Sequence, residues 1–116
     1  MTKFLKDIAP LILGHRTEGG EISLAGNPTI VVTCEPWTNI RTTQYATLYI
    51  DGISVASMQL LSHKGRLAHL PEFIISTADH FQPGQTYELS IGIVEPDGSD
   101  TPNQSKSRTI ELSIVP

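Results

Sequence analysis

The stretch FQPGQTYELSIGIVEPDG, residues 81–98, constrains this chain more than any other. A Pro-Gly pair opens it and a Pro-x-Gly turn closes it. Between them Tyr87, Leu89, Ile91 and Ile93 alternate with Glu88, Ser90 and Gly92. A period of two puts the four large side chains on one face of a β-strand, and the flanking turn residues bound its length. No window of helical length carries a 3.6-residue apolar period. Eight prolines and nine glycines instead punctuate a series of short apolar runs.

Those runs read as strands. Near the end, Ile110, Leu112 and Ile114 alternate with Thr109, Glu111 and Ser113. Earlier, PTIVVTC puts Ile30, Val32 and Cys34 on one face. QYATLYI puts Ala46, Leu48 and Ile50 on one face and Tyr45, Thr47 and Tyr49 on the other. Asp51-Gly52 is a tight-turn signal, so ISVASMQLL is expected to return as a hairpin partner, with a bulge where its parity shifts near Ala56 and Ser57. SHKGR reads as a polar tip and LPEFII as a further strand. STADHFQPG reads as a connection holding one short helical turn capped by Ser76 or Thr77. EPDGSDTPNQSKS reads as a polar loop. Residues 1–27 form an irregular or edge-strand segment with two weak strands, split by HRTEGG, where Pro10 is tolerated. Seven or eight strands at turn spacings of about 8 to 12 residues predict a single all-β domain over residues 1–116, an antiparallel β-sandwich.

Within that frame a tyrosine just past a turn, opening the penultimate strand, reads as the tyrosine corner of Greek-key sandwiches. Pro83 and Gly84 make the turn. The Tyr87 ring is expected to fill one end of the core while its hydroxyl bonds backbone in the connection just upstream.

Composition limits function. An apolar fraction of 39% and a charged fraction of 17% belong to a folded chain. The formal charge is -4, and the eight basic residues form no stripe, so no nucleic-acid partner is expected. Cys34 is the one cysteine, which excludes an internal disulfide and a cysteine-based zinc site. The opening MTKFLKDIAPLILGH places Lys3 and Lys6 near an apolar run. That run, Ile8 to Leu13, is too short for a secretory signal or for membrane insertion.

FQPGQTYELSIGI resembles the "L-x-P-G-T-x-Y" segment of fibronectin type III modules, with Phe81 in place of the leucine. PTIVVTCEP resembles that family's second strand, with Cys34 where the family carries tryptophan. ATLYIDGISVAS, GQTYELSIGIVEPDG and SKSRTIELSIV are similar to the bacterial immunoglobulin-like repeats of large surface and adhesin proteins. The resemblance covers residues 28–115. It implies an immunoglobulin-like Greek-key sandwich; no set of residues in the sequence supplies a nucleophile, base and oxyanion site, so neither catalytic activity nor a cofactor is expected. The resemblance also implies a binding, adhesion or spacer role in a bacterial or phage surface protein, a cell-surface or extracellular location, and neighbouring tandem domains. Two alternatives stand beside it. One is a stand-alone inhibitor or accessory protein that docks through an edge strand or loop. The other is a carbohydrate-binding or linker domain of a larger enzyme.

The candidate contacts for a protein or carbohydrate partner are Tyr45 and Tyr49, on the face opposite Leu48 and Ile50, and Trp37, just past a strand end. Against them stand the ordinary roles of such residues: tyrosines that cover neighbouring strands and a tryptophan that lids the core. Glu95, Asp97 and Asp100 offer hard oxygen ligands suited to calcium, without EF-hand spacing and in a loop where Asp and Gly serve turns anyway. His63 and His69 flank Lys64 and Arg66 in a basic tip. Asp79-His80 lacks a serine nucleophile in the expected setting, and Cys34 alternates with core residues.

Overall fold

The computed structural model describes residues 5–12, 20–37, 44–60, 62–63, 66–67, 71–94 and 104–115. The chain is mostly β. Its elements are a 3₁₀ turn Leu5–Asp7, then β1 (Leu11–Ile12), β2 (Gly20–Ser23), β3 (Thr29–Thr33), β4 (Tyr45–Ile50), β5 (Ile53–Gln59), β6 (Ser62–His63) and β7 (Arg66–Leu67). After these come β8 (Phe73–Ser76), α1 (Thr77–His80), β9 (Thr86–Val94), β10 (Gln104–Lys106) and β11 (Ile110–Val115). Two main sheets share no strand. The smaller has the order β1-β3-β8. The larger has the order β2-β11-β9-β4-β5, with β10 also paired to β9, and β6-β7 forms a separate hairpin.

The alternation of the sequence decides what lies between the sheets. From the smaller sheet Ile12, Ile30, Val32, Phe73 and Ile75 are buried; from the larger, Ile22, Ala46, Leu48, Leu89, Ile91, Leu112 and Ile114 are buried in the same cluster. Each full burial of such an aliphatic side chain contributes about 1.5–3 kcal/mol. On β4 the outward residues stay exposed or half-exposed and alternate with buried ones from Tyr45 to Ile50, whereas Ser90 and Gly92 on the outer side of β9 are buried.

Three local devices set the geometry. Asp51 (φ 52°) and Gly52 (φ 78°) both lie in the left-handed region, as a two-residue type I′ hairpin turn requires. Asp51 also ties this turn to the neighbouring strand: its N–H donates to Glu88 O and its carboxylate accepts from Glu88 N, both at 2.8 Å. At residues 82–85 Gly84 has φ 83° and Gln85 N donates to Gln82 O at 3.3 Å, a type II turn with Pro83 and Gly84 at its centre. That turn docks on β11, since Gly84 N donates to Ile114 O and Ile114 N to Gln85 O. The third device is the corner. The Tyr87 hydroxyl accepts a 2.9 Å bond from Gln82 N–H, and its ring meets buried Phe81 edge-on at 4.9 Å.

Several expectations need correction. Eleven strand segments are present among the described residues, against seven or eight expected, because β1, β6, β7 and β10 are only two or three residues long. Residues 104–106, read as loop, form β10: β9 is nine residues long and outruns β11, leaving ladder positions at Gly92 to Val94 that β10 fills. The bulge falls at Val55, since Leu48 faces Ala56 and Tyr49 faces Ser54. Ser76 stands at the N-cap of α1 without a side-chain cap. The Thr77 hydroxyl instead donates to Asn27 O, tying the crossover to the entry of β3. Leu11–Ile12 and Gly20–Ser23 lie on edges of different sheets, and β2 runs parallel to β11.

Candidate functional site

The larger sheet turns one face to the core and the other away from it. Outward positions on β4 are Tyr45, Thr47 and Tyr49; on β9 they are Glu88, Ser90, Gly92 and Val94; on β10, Gln104 and Lys106. The pairing registers sort these residues into two districts. Toward the Tyr87 end, Glu88 sits opposite Glu111, and Glu21 lies opposite Ser113. Toward the other end lies a patch of tyrosines, hydroxyls, amides and one lysine.

Gly92 organises that second district. A Cβ at this position would approach Tyr49 Cε2 to 2.8 Å and Gln104 Nε2 to 2.6 Å. The missing side chain is the space into which the Tyr49 ring leans, crossing β9 to reach β10. Gln104 Nε2 donates to the Tyr49 hydroxyl, and Lys106 Nζ lies 4.6 Å from the ring centroid, a cation–π distance. Tyr49 is therefore half-buried, with its ring and hydroxyl both engaged within the chain. Tyr45 is different: it is 41% exposed, between Gln59 on β5 and Val94 on β9. Beside it Thr47 Oγ1 donates to Ser57 Oγ at 3.4 Å.

Trp37 is 3% exposed and belongs to the core, the ordinary role of a lone tryptophan, and is not an exposed end-loop anchor; among the described residues its indole N–H has no hydrogen-bond partner. Glu95, Asp97 and Asp100 lie outside the described residues. So do Lys64 and His69, while His63 and Arg66 are paired backbone positions of the β6–β7 hairpin. Among the described residues no group of three or more His, Cys, Asp or Glu is arranged to hold a metal ion. Asp79 and His80 sit in the four residues of α1, with Asp79 exposed. Cys34 is 1% exposed, and burial, with Glu35 adding to it, pushes its thiol up to about 12. A thiol so protonated is a poor nucleophile.

The sequence reading named Tyr45 and Tyr49 but missed Gly92, Gln104, Lys106 and Ser107. A glycine in the middle of an alternating strand was the available signal, since it marks close approach of another group. Ser107 joins β10 to β11: its N–H donates to Ile91 O at 2.8 Å, and its hydroxyl accepts from buried Ile91 N at 2.9 Å. This one residue satisfies both backbone groups of Ile91 where the ladder is interrupted.

No protein family, curated protein or solved structure matches this chain.

Proposed function

We propose that this chain is an immunoglobulin-like Greek-key sandwich that serves as a non-catalytic binding or display module of a bacterial or phage surface protein. It meets a protein or carbohydrate partner through the outer face of its larger sheet. The observation that carries this reading is Tyr45, a 41% exposed aromatic ring on the outer face of the sheet, on the same side of β4 as a Tyr49 ring already fixed in place. A pre-ordered surface loses little side-chain entropy on binding, and tyrosine offers large contact area for few rotatable bonds.

The strand order supports the Greek-key assignment. The chain passes from β3 in the smaller sheet to β4 and β5 in the larger, returns to β8, and crosses through α1 to β9. The Tyr87–Gln82 bond at that crossover, and a first strand divided between the sheets, are also what such a fold calls for. The non-catalytic reading draws on the state of Cys34, whose buried, protonated thiol is unsuited to attack.

The test compares the intact chain with Tyr45→Ala and, as a control at the acidic end of the same face, Glu111→Ala. Binding is read on a glycan array and by pull-down from native host extract. Loss of a captured partner with Tyr45→Ala but not with Glu111→Ala is the expected result. Equal recovery with all three proteins removes Tyr45 from the contact surface.

A further inference from the structure

We propose that the open edge of β5 is a self-association site, at which two copies of this chain pair their β5 strands antiparallel about a two-fold axis. The edge strands of the two main sheets differ in how they are protected, and β10 has three residues and carries Lys106. β1 has two residues and follows Pro10, β8 has four, and β2 has four and carries Glu21. β5 is seven residues long, ISVASMQ, with no proline and no charge. Short length, proline and charge are the devices that keep edges from pairing, and β5 has only the bulge at Val55. Among the described residues β5 pairs with β4 alone.

The backbone of that edge is aimed outward at known positions. Leu60 N donates to Gln44 O at 3.0 Å, which makes Gln44 and Leu60 a hydrogen-bonded pair. Antiparallel alternation then turns the N–H and C=O of Gln59 and Ser57 away from β4. Both residues are exposed. A two-fold axis through Ser57 sets Ser57 against its own copy, and Ala56 against Met58 of the second copy on the core-facing side. The sheet then runs unbroken through both molecules.

An uncharged edge meets no like charge when it pairs with its own copy. Each chain carries a formal -4, which opposes association in general. Yet the outward acids Glu21, Glu88 and Glu111 sit on β2, β9 and β11, at least two strands inward from β5. In the paired sheet the nearest of them, Glu88 and its copy, are five strand spacings apart, about 24 Å. That exceeds the screening length of about 8 Å at physiological ionic strength. The Asp51 carboxylate, at the head of β5, accepts from Glu88 N–H instead of facing the open edge.

Sedimentation velocity on the purified chain from about 10 μM to about 1 mM tests this, a range suited to the weak affinity of a small interface. The expected result is a concentration-dependent shift from monomer toward dimer. A monomer throughout overturns the proposal, including the case in which the edge takes an extended segment of another protein. Ser57→Pro removes an outward N–H without touching the β4 ladder, and should abolish the dimer with the unfolding temperature nearly unchanged. Ser57→Lys and Ser57→Glu should each be monomeric alone, because like charges meet at the axis, and should dimerise when mixed. Failure of the mixture to dimerise, or a Ser57→Lys dimer as tight as wild type, overturns the proposal.

Discussion

Tyr87 and Phe81 share the end of the core, but the Tyr87 hydroxyl has a separate task in holding Gln82 N–H. Tyr87→Phe keeps the ring and deletes that bond. Chemical denaturation should show a loss of about 1 kcal/mol, the usual net value of one hydrogen bond. Ser107→Ala should cost more, about 1–3 kcal/mol, because it leaves the buried N–H of Ile91 without its acceptor. Cys34 acts through pH. Below its ordinary value of 9.0 the folded and unfolded chains both keep the thiol proton. Above 9.0 the unfolded chain releases it while the folded chain retains it up to about 12. The folded state then binds more protons, so stability falls as pH rises across that window, by about 1.4 kcal/mol per unit. Denaturation curves between these pH values should fall more steeply in the wild type than in Cys34→Ala, the difference between the two slopes being the part due to Cys34.

The strand pairs carry their own predictions. Tyr49 and Gly92 form one unit: the ring occupies the space that a side chain on β9 would take. Gly92→Ala should destabilise by about 1–3 kcal/mol through overpacking, and the same change in a Tyr49→Ala background should cost far less. A double-mutant cycle by denaturation reads the difference; additive costs would mean that the ring does not depend on the glycine. At the other end of the face Glu88 and Glu111 stand directly opposite one another. Glu111→Lys should stabilise by about 0.2–1 kcal/mol, with the gain shrinking as salt is added. The β4–β5 turn needs positive φ at both central positions. Asp51→Asn should be nearly neutral, since asparagine tolerates that backbone and can still accept from Glu88 N–H. Asp51→Ala should lose both advantages.

At the scale of the molecule the two faces of the larger sheet divide the labour. The inner face is aliphatic and shared with the smaller sheet, so it fixes the fold. The outer face is sorted along its strands into an acidic end near the Tyr87 corner and an aromatic, amide-bearing end near β10. The long edge of β5 borders the second of these and not the first.

Much of this could be read from residue order because a strand reports its own orientation. Alternation at residues 45–50, 86–94 and 110–115 identified the inward side chains without knowledge of any neighbour, since successive side chains must point to opposite faces. Asp51-Gly52 and Pro83-Gly84 announced their turns because few residues accept left-handed backbone. Strand pairing across long stretches of chain was not legible. That β10 completes the ladder of β9 and that Tyr49 lies over Gly92 and reaches Lys106 are products of which strands become neighbours. Residue order thus determined which face each strand buries, because that depends on covalent geometry and local preference. Only the tertiary structure decided which outward residues meet, because those contacts arise from pairing between segments that the chain itself leaves far apart.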